Sequence, residues 1–384
     1  MSILSALRLT RAPGVAFVVM GLFWGVFAAH VPVLKDRLAV DDGTFGLLLL
    51  SSSLGLLTTM WIAPRFDRAL GPRAMPVAAL LLAVSWVGPG LAATPLAFAA
   101  GMVVVGMASG ILDVVMNARV SQIEARHGRS LMNANHGLFS LAYGLAALAS
   151  GFTREAGFAP ETVLAAVAGL VVLALPLLRM AEVAAPAPEG PALRLPLWPV
   201  VLCGVVVLIA FLSEATVESW SALHIERTLG GGAAQGALGP ALLGATMTLG
   251  RFGGQALAEK LSETAVIRVA VLVSATGAAI AAAAPVPVVA YLGFATMGLG
   301  ISVIGPMGLA LAGKMVAPHQ RAQAIAKVAV IGFGAFFVAP VLMGGLSELF
   351  GLRAAFACVG GLLLVVLVPV AALRRRAAAV AAPA

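Results

Sequence analysis

Apolar runs of about 20 residues succeed one another along the whole chain with only short polar breaks, and this leaves few folds open. A backbone crossing hydrocarbon must satisfy its N–H and C=O groups within the segment, so each run is expected to be a helix. Twelve spans are expected. The first six fall at roughly 14–34, 43–64, 74–92, 95–124, 131–152 and 160–179. The second six fall at roughly 197–223, 237–258, 265–284, 286–313, 324–347 and 353–373. Composition agrees, since 61% of the 384 residues are hydrophobic and 10% charged, against about 25% charged in a soluble domain. The first run is longer than a signal-peptide core and has no small-residue cleavage site, which makes it a retained span. Cys203 and Cys358 both sit inside apolar runs, where neither a disulfide framework nor a metal site is expected.

The net charge of +8 is distributed by topology and does not form a patch for nucleic acid. Basic residues crowd alternate breaks, as at Arg65, Arg68 and Arg73, at Arg126 and Arg129, and at Arg374, Arg375 and Arg376. The intervening breaks hold only Lys35, Arg37, Arg154, Arg227 and Arg353. Positive charge marks the cytoplasmic side, so both termini are expected there. The Ala- and Pro-rich stretch 181–196 reads as a cytoplasmic linker between 1–180 and 197–384. The two halves look duplicated. A shift that lays Asp36-Arg37 on Glu226-Arg227 also lays Met107, Gly110 and Ile111 on Met297, Gly300 and Ile301. With a few residues of slippage, Gly157 falls on Gly351. The expectation is an all-α membrane protein of twelve transmembrane helices in two pseudo-symmetric six-helix bundles, with a site between them.

Ionisable residues inside such runs are costly and mark pathways. On the fourth span Asp113, Asn117 and Glu124 share one helical face, Glu124 near the basic end, while Arg119 points about 120° away from Asp113. Asp113 is either a packing hydrogen bonder or, the preferred reading, a proton carrier lining a cavity. His136 lies one turn into the fifth span beside Asn133 and Asn135, either as a relay and polar ligand or as a helix-start histidine. On the seventh span Glu214 is the deeper acid, and Glu218 and Trp220 suggest an outer gate or a stacking shelf, with solvated interfacial residues as the plain alternative. His30 is a helix-end polar residue or a ligand. Arg251 either neutralises a cavity acid or, the preferred reading, holds the inner helix ends together, and Lys327 is read as snorkelling. Gly21/Gly25 and Gly106/Gly110 give close-packing faces. Pro306 and Pro340 are expected bend points.

No GxxxxGK[ST] phosphate loop occurs, and no nucleophile or zinc cluster has convincing spacing. The chain therefore reads as a transporter driven by a gradient, neither an enzyme nor a cofactor protein. At this point it resembles the major facilitator superfamily over essentially its whole length. The turn Ala63 to Arg73, APRFDRALGPR, is similar to that superfamily's loop between the second and third spans, with Asp67 and Arg68 matching. Ala63 replaces the usual first glycine, and one residue is inserted before Gly71. The resemblance implies a gating role for Asp67 and Arg68. Within the superfamily, Asp113 followed four residues later by Asn117, with His136 early in the next span, resembles the fucose-permease-like branch. Ala118 stands where that branch often has proline, and the first span carries no buried carboxylate, which argues against fucose itself. The residues and the resemblance together imply a proton-coupled symporter of a small, sugar-like polar solute, working by alternating access as a monomer in a bacterial-type inner membrane. Asp113, Glu214 and His136 would couple protons; Asn117, His136, Glu218, Trp220 and His30 would meet the solute; Asp67, Arg68 and Arg251 would gate. A proton-driven efflux antiporter is the alternative, and a non-transporting membrane sensor a distant third.

Overall fold

The computed structural model describes residues 3–180, 195–258, 261–317 and 320–381, and every regular element in them is helical. A short helix α1 (Ile3–Leu9) precedes the first bundle, which is α2 (Arg11–Leu38), α3 (Asp42–Leu70), α4 (Ala74–Ser85) continued by α5 (Val87–Leu91), α6 (Pro95–His127), α7 (Met132–Glu155) and α8 (Pro160–Ala174). The second bundle is α9 (Leu197–Leu223), α10 (Ala233–Ala258), α11 (Glu263–Ala283), α12 (Pro287–Lys314), α13 (Arg321–Phe333), α14 (Ala335–Val365) and α15 (Leu367–Ala381). Most of the expected linker, 181–194 with Arg194, lies outside the described residues, as does Lys260. The side bearing the chain's N-terminus and the arginine-rich breaks is the basic face, and the opposite one the distal face.

Local signals set the helix ends. Asp41 caps α3 by accepting from the Thr44 N–H at 2.6 Å. At the start of α6, Thr94 Oγ1 accepts from Ala97 N at 3.3 Å, and Pro95 takes the first helical position. Two turns repeat between the bundles. Gly157 and Gly351, matched in the sequence, adopt φ of 84° and 80° where the fifth and eleventh spans turn back at the distal face. At Gly351 the reversal lies inside α14, so that helix serves two spans. The eleventh span itself breaks at Gly334, between α13 and α14, and not at Pro340. Pro340 acts otherwise. It has no N–H for the carbonyl four residues back, and that carbonyl, Phe336 O, instead accepts from Ser53 Oγ of α3 at 2.7 Å.

Among the described residues, eight helical segments are long and apolar enough to cross a membrane, one of them the 53-residue stretch Gln323–Arg375 that Gly351 folds in two. The helices α7 and α10 are absent from that set and pack on each other. Their lower hydropathy comes from residues such as Asn133, Asn135, His136, Ser140, Thr246, Thr248 and Arg251. A helix poor in apolar residues belongs where it meets protein and water on most sides, and these two form one seam between the bundles. The other seam joins α3 to α14, and α2 meets α9 between the two.

Helix association in lipid relies on close packing because the tails are as apolar as leucine. The glycines read from the sequence supply it. A Cβ on Gly25 would lie 2.2 Å from Tyr143 O, joining α2 to α7, and one on Gly106 would lie 1.8 Å from Ser52 O, joining α6 to α3. Across the seam, a Cβ on Gly244 would lie 2.6 Å from the Cα of Gly144.

Candidate functional site

Arg251 sits on the basic-face half of the α7–α10 seam, about two turns from the Gly144–Gly244 contact. One amino group donates to Glu214 Oε1 of α9 at 3.0 Å. The other donates to Ser140 Oγ at 2.5 Å and to the His136 carbonyl at 3.3 Å, both on α7 of the other bundle. The guanidinium therefore ties an acid of the second bundle to the first. The pair with Glu214 matches the reading of Arg251 as the partner of a cavity acid, and the bonds to Ser140 and the His136 carbonyl tie it to the first helical turns of α7 as well. Glu214 and Arg251 keep 15% and 10% side-chain exposure although helices surround them, so they face the space between the bundles. Glu218, one turn beyond Glu214 on α9, is half-buried and within electrostatic reach of both Glu214 and Arg251. Tyr143 of α7, buried to 2%, is in reach of both glutamates, and its hydroxyl has no hydrogen-bond partner.

The other expected site residues take different places. Asp113 accepts from Asn117 Nδ2 at 3.0 Å, and the same amide donates to the Asp113 carbonyl at 2.8 Å. Among the described residues the hydrogen bonds of this pair lie within α6, apart from the Arg251–Glu214 bridge. The His136 ring packs edge-on against Phe17 with centroids 4.9 Å apart, while its backbone carbonyl serves Arg251. Trp220 is buried to 1% and meets Phe45 of the first bundle edge-on at 6.0 Å, so it is packed between the bundles and offers no open shelf. His30 is also buried to 1%, with Nδ1 on its own helix's Val26 carbonyl at 2.7 Å. Glu124 turns away from Asp113 to accept from the N–H groups of Leu131 and Met132 at 2.5 and 2.8 Å, which caps α7.

Arg119, for which the sequence offered no role, is fully buried and donates to Asp67 Oδ1 at 2.5 Å. The charge partner of Asp67 on the loop motif is thus on α6, and Arg68 is exposed. The pairing needs the knowledge that α3 and α6 are neighbours, which the residues alone do not supply.

The two faces differ in how their charges pair. At the distal face two of them cross between bundles, beside the within-bundle pairs Arg37–Glu161 and Lys35–Asp42. Asp42 of α3 accepts from both amino groups of Arg227 at 2.5 and 2.7 Å and from Ser347 Oγ of α14, while its own N–H donates to Glu348 at 3.0 Å. Lys35 of the same bundle lies 3.0 Å from Asp42 as well. Arg154 grips Glu226 through two bonds of 2.8 and 3.0 Å. Glu226 and Arg227 both sit on a π turn, His224–Thr228, that extends α9, a feature that residue spacing did not foretell. Toward the basic face the ion pairs among the described residues stay within one bundle, Asp67 with Arg119 and Glu263 with Lys314.

A duplicated helical bundle spanning a membrane, with buried charge on the seam between its halves, defines a multi-pass membrane transporter. Comparison places it further. The family model for the Major Facilitator Superfamily matches residues 203–383. An uncharacterized MFS-type transporter of Yersinia pestis is 30% identical over 354 residues, covering 91% of this chain and 92% of that protein. The chain belongs to the Major Facilitator Superfamily, a family of transporters and not of enzymes. Among solved structures, a bacterial homologue of the human lysosomal transporter Spinster, inward-facing and occupied, has the same fold with a TM-score of 0.76 at 15% identity, covering 96% of each chain. A D-xylose–proton symporter has a TM-score of 0.73 at 17% identity, covering 96% of this chain and 97% of its own.

Proposed function

We propose that this protein is a proton-coupled secondary transporter that carries a small polar solute across a bacterial inner membrane by alternating access, as a symporter. The observation that carries the reading is the Arg251 bridge. An ion pair with Glu214 that also bonds Ser140 and the His136 carbonyl joins the two bundles at the place where a solute held between them would be felt by both. A solute that binds better when the bundles are closed on it shifts the balance of states by that difference in affinity. Asp113, on α6 and apart from the seam, is the proton carrier in this reading, with Asn117 as its hydrogen-bonding partner.

The moving units are 1–180 and 197–384, joined by the linker 181–196, and the functional unit is the monomer. The basic face is cytoplasmic because arginine concentrates there. The cross-bundle ion pairs of the distal face then close the outside, and the state is inward-facing. The Asp113–Asn117 spacing supports a place near the fucose-permease-like branch, and the fold shared with a D-xylose–proton symporter is compatible with a sugar-like solute. Antiport is the second reading, favoured by Glu218, a carboxylate on the seam with no hydrogen bond of its own that proton and solute would occupy in turn.

A thermal-shift screen of purified protein against sugars, polyols, amino acids and lipophilic cations would supply a solute. That solute is then added to vesicles holding the protein and a pH-reporting dye. Luminal acidification on addition supports symport, and alkalinisation supports antiport. Asp113→Asn should keep solute binding and lose the pH signal. A variant that moves protons like the parent would remove Asp113 from the mechanism.

A further inference from the structure

The charge on the seam does not balance. Glu214 and Glu218 provide two carboxylates, and Arg251 provides one guanidinium whose amino groups are directed at Glu214, Ser140 and the His136 carbonyl. Glu218 feels Arg251 only through space, with the like charge of Glu214 one turn away. An ionised carboxylate removed from water is costly unless something pairs with it. Across from it, on α7, the Tyr143 hydroxyl is buried, lies within reach of both glutamates and bonds to nothing. A tyrosine O–H in such a setting normally finds a partner. Glu218 thus keeps part of its surface open beside an ion pair that is already complete, and the Tyr143 hydroxyl lies enclosed nearby with no partner among the described residues.

We propose that the solute carries a single positive charge, a protonated amine or quaternary ammonium, which ion-pairs with Glu218 while a polar group beside it hydrogen-bonds Tyr143. This rests on the reading of the seam as the solute site. A monocation matches the unbalanced charge. A neutral sugar would leave Glu218 to be neutralised by a proton alone, and an anion would meet two carboxylates. The groups that set the ionisation of Glu218 come from each element facing it, Glu214 on its own helix, Arg251 on α10 and Tyr143 on α7. Protonation of Glu218 removes the counter-charge, so binding of the cation weakens as pH falls.

The test pairs each cation with its neutral counterpart on the full-length purified protein: ethanolamine with ethylene glycol, glucosamine with glucose, cyclohexylamine with cyclohexanol, and choline with 3,3-dimethylbutanol. Binding is read by thermal shift and by calorimetry at several pH values. The expected result is that one or more cations bind, their neutral partners bind about ten-fold more weakly or worse, and the preference fades at low pH. Glu218→Gln should abolish the preference, and Glu218→Asp should restore part of it. Tyr143→Phe should weaken the hydroxyl-bearing amines more than cyclohexylamine. Equal binding of charged and neutral members, or cation binding unchanged in Glu218→Gln, overturns the proposal while leaving the transporter reading intact. No binding by any member, alongside a solute of another class from the wider screen, overturns the cation and keeps the seam. If Glu214→Gln and Arg251→Ala also leave that other solute's binding untouched, the seam itself is not the solute site.

Discussion

At the scale of single residues, Arg119 of the first bundle is a fully buried arginine committed to Asp67. Arg119 is fully buried, and its fork reaches both Asp67 and, at 3.4 Å, Gln122. Truncating Arg119 removes both donated bonds and empties the space of a large, fully buried side chain, each a recognised source of lost stability. Arg119→Ala should therefore lower the melting temperature in detergent sharply. Arg119→Lys should recover only part of the loss, because a point charge lacks the planar fork. The double variant Asp67→Asn/Arg119→Met should be more stable than Arg119→Ala alone. An unchanged melting temperature in Arg119→Ala would show the pair to be dispensable for the fold. Asp113 was legible as a costly residue because charge in an apolar run stands out. Tyr143 was not. A tyrosine inside an apolar span looks like packing until the helix opposite is known to present two glutamates.

At the scale of elements, helix pairs are set by where glycine lets backbones touch. The α3–α6 contact passes within reach of Ser52 O at Gly106, and these same helices carry Asp67 and Arg119. Gly106→Val should push the pair apart, strain the ion pair and reduce both melting temperature and transport, whereas Gly169→Val, with nothing within 4 Å of its Cβ, should be tolerated. A melting temperature equal to the parent's in Gly106→Val would contradict this packing account. Hydropathy and loop charge made the span count readable in advance, and α9 begins and ends at the residues expected, Leu197 and Leu223. The repeat was legible through Gly157 and Gly351 because a left-handed turn tolerates few other residues. The break at Gly334 and the π turn at His224–Thr228 were hidden. The π turn carries Glu226 and Arg227 to partners in other helices, Arg154 and Asp42, and no local pattern encodes a distant partner; nothing in the residue spacing around Gly334 marked the break there.

At the scale of the whole molecule, the distal seal rests on two cross-bundle pairs, Asp42–Arg227 and Arg154–Glu226. Breaking both with Arg227→Ala and Glu226→Gln should populate a state open at that face. Spin labels at Ala39 and Gly230, both exposed on distal breaks of opposite bundles, would report it as a longer and broader distance distribution once Cys203 and Cys358 are replaced. An unaltered distribution would mean that packing alone keeps the face shut. The pairs also differ from simple locks in one respect. When the bundles part, Lys35 travels with Asp42, and the Ala29 carbonyl, which already accepts from Arg154 at 2.5 Å, travels with that arginine. The Asp42 carboxylate and the Arg154 guanidinium would each keep a resident partner on parting, whereas the Asp42 N–H would lose Glu348. Parting of the bundles would thus be a handover for these two charged groups, with fresh hydration falling on Glu226, Arg227, Ser347, Glu348 and the Asp42 N–H.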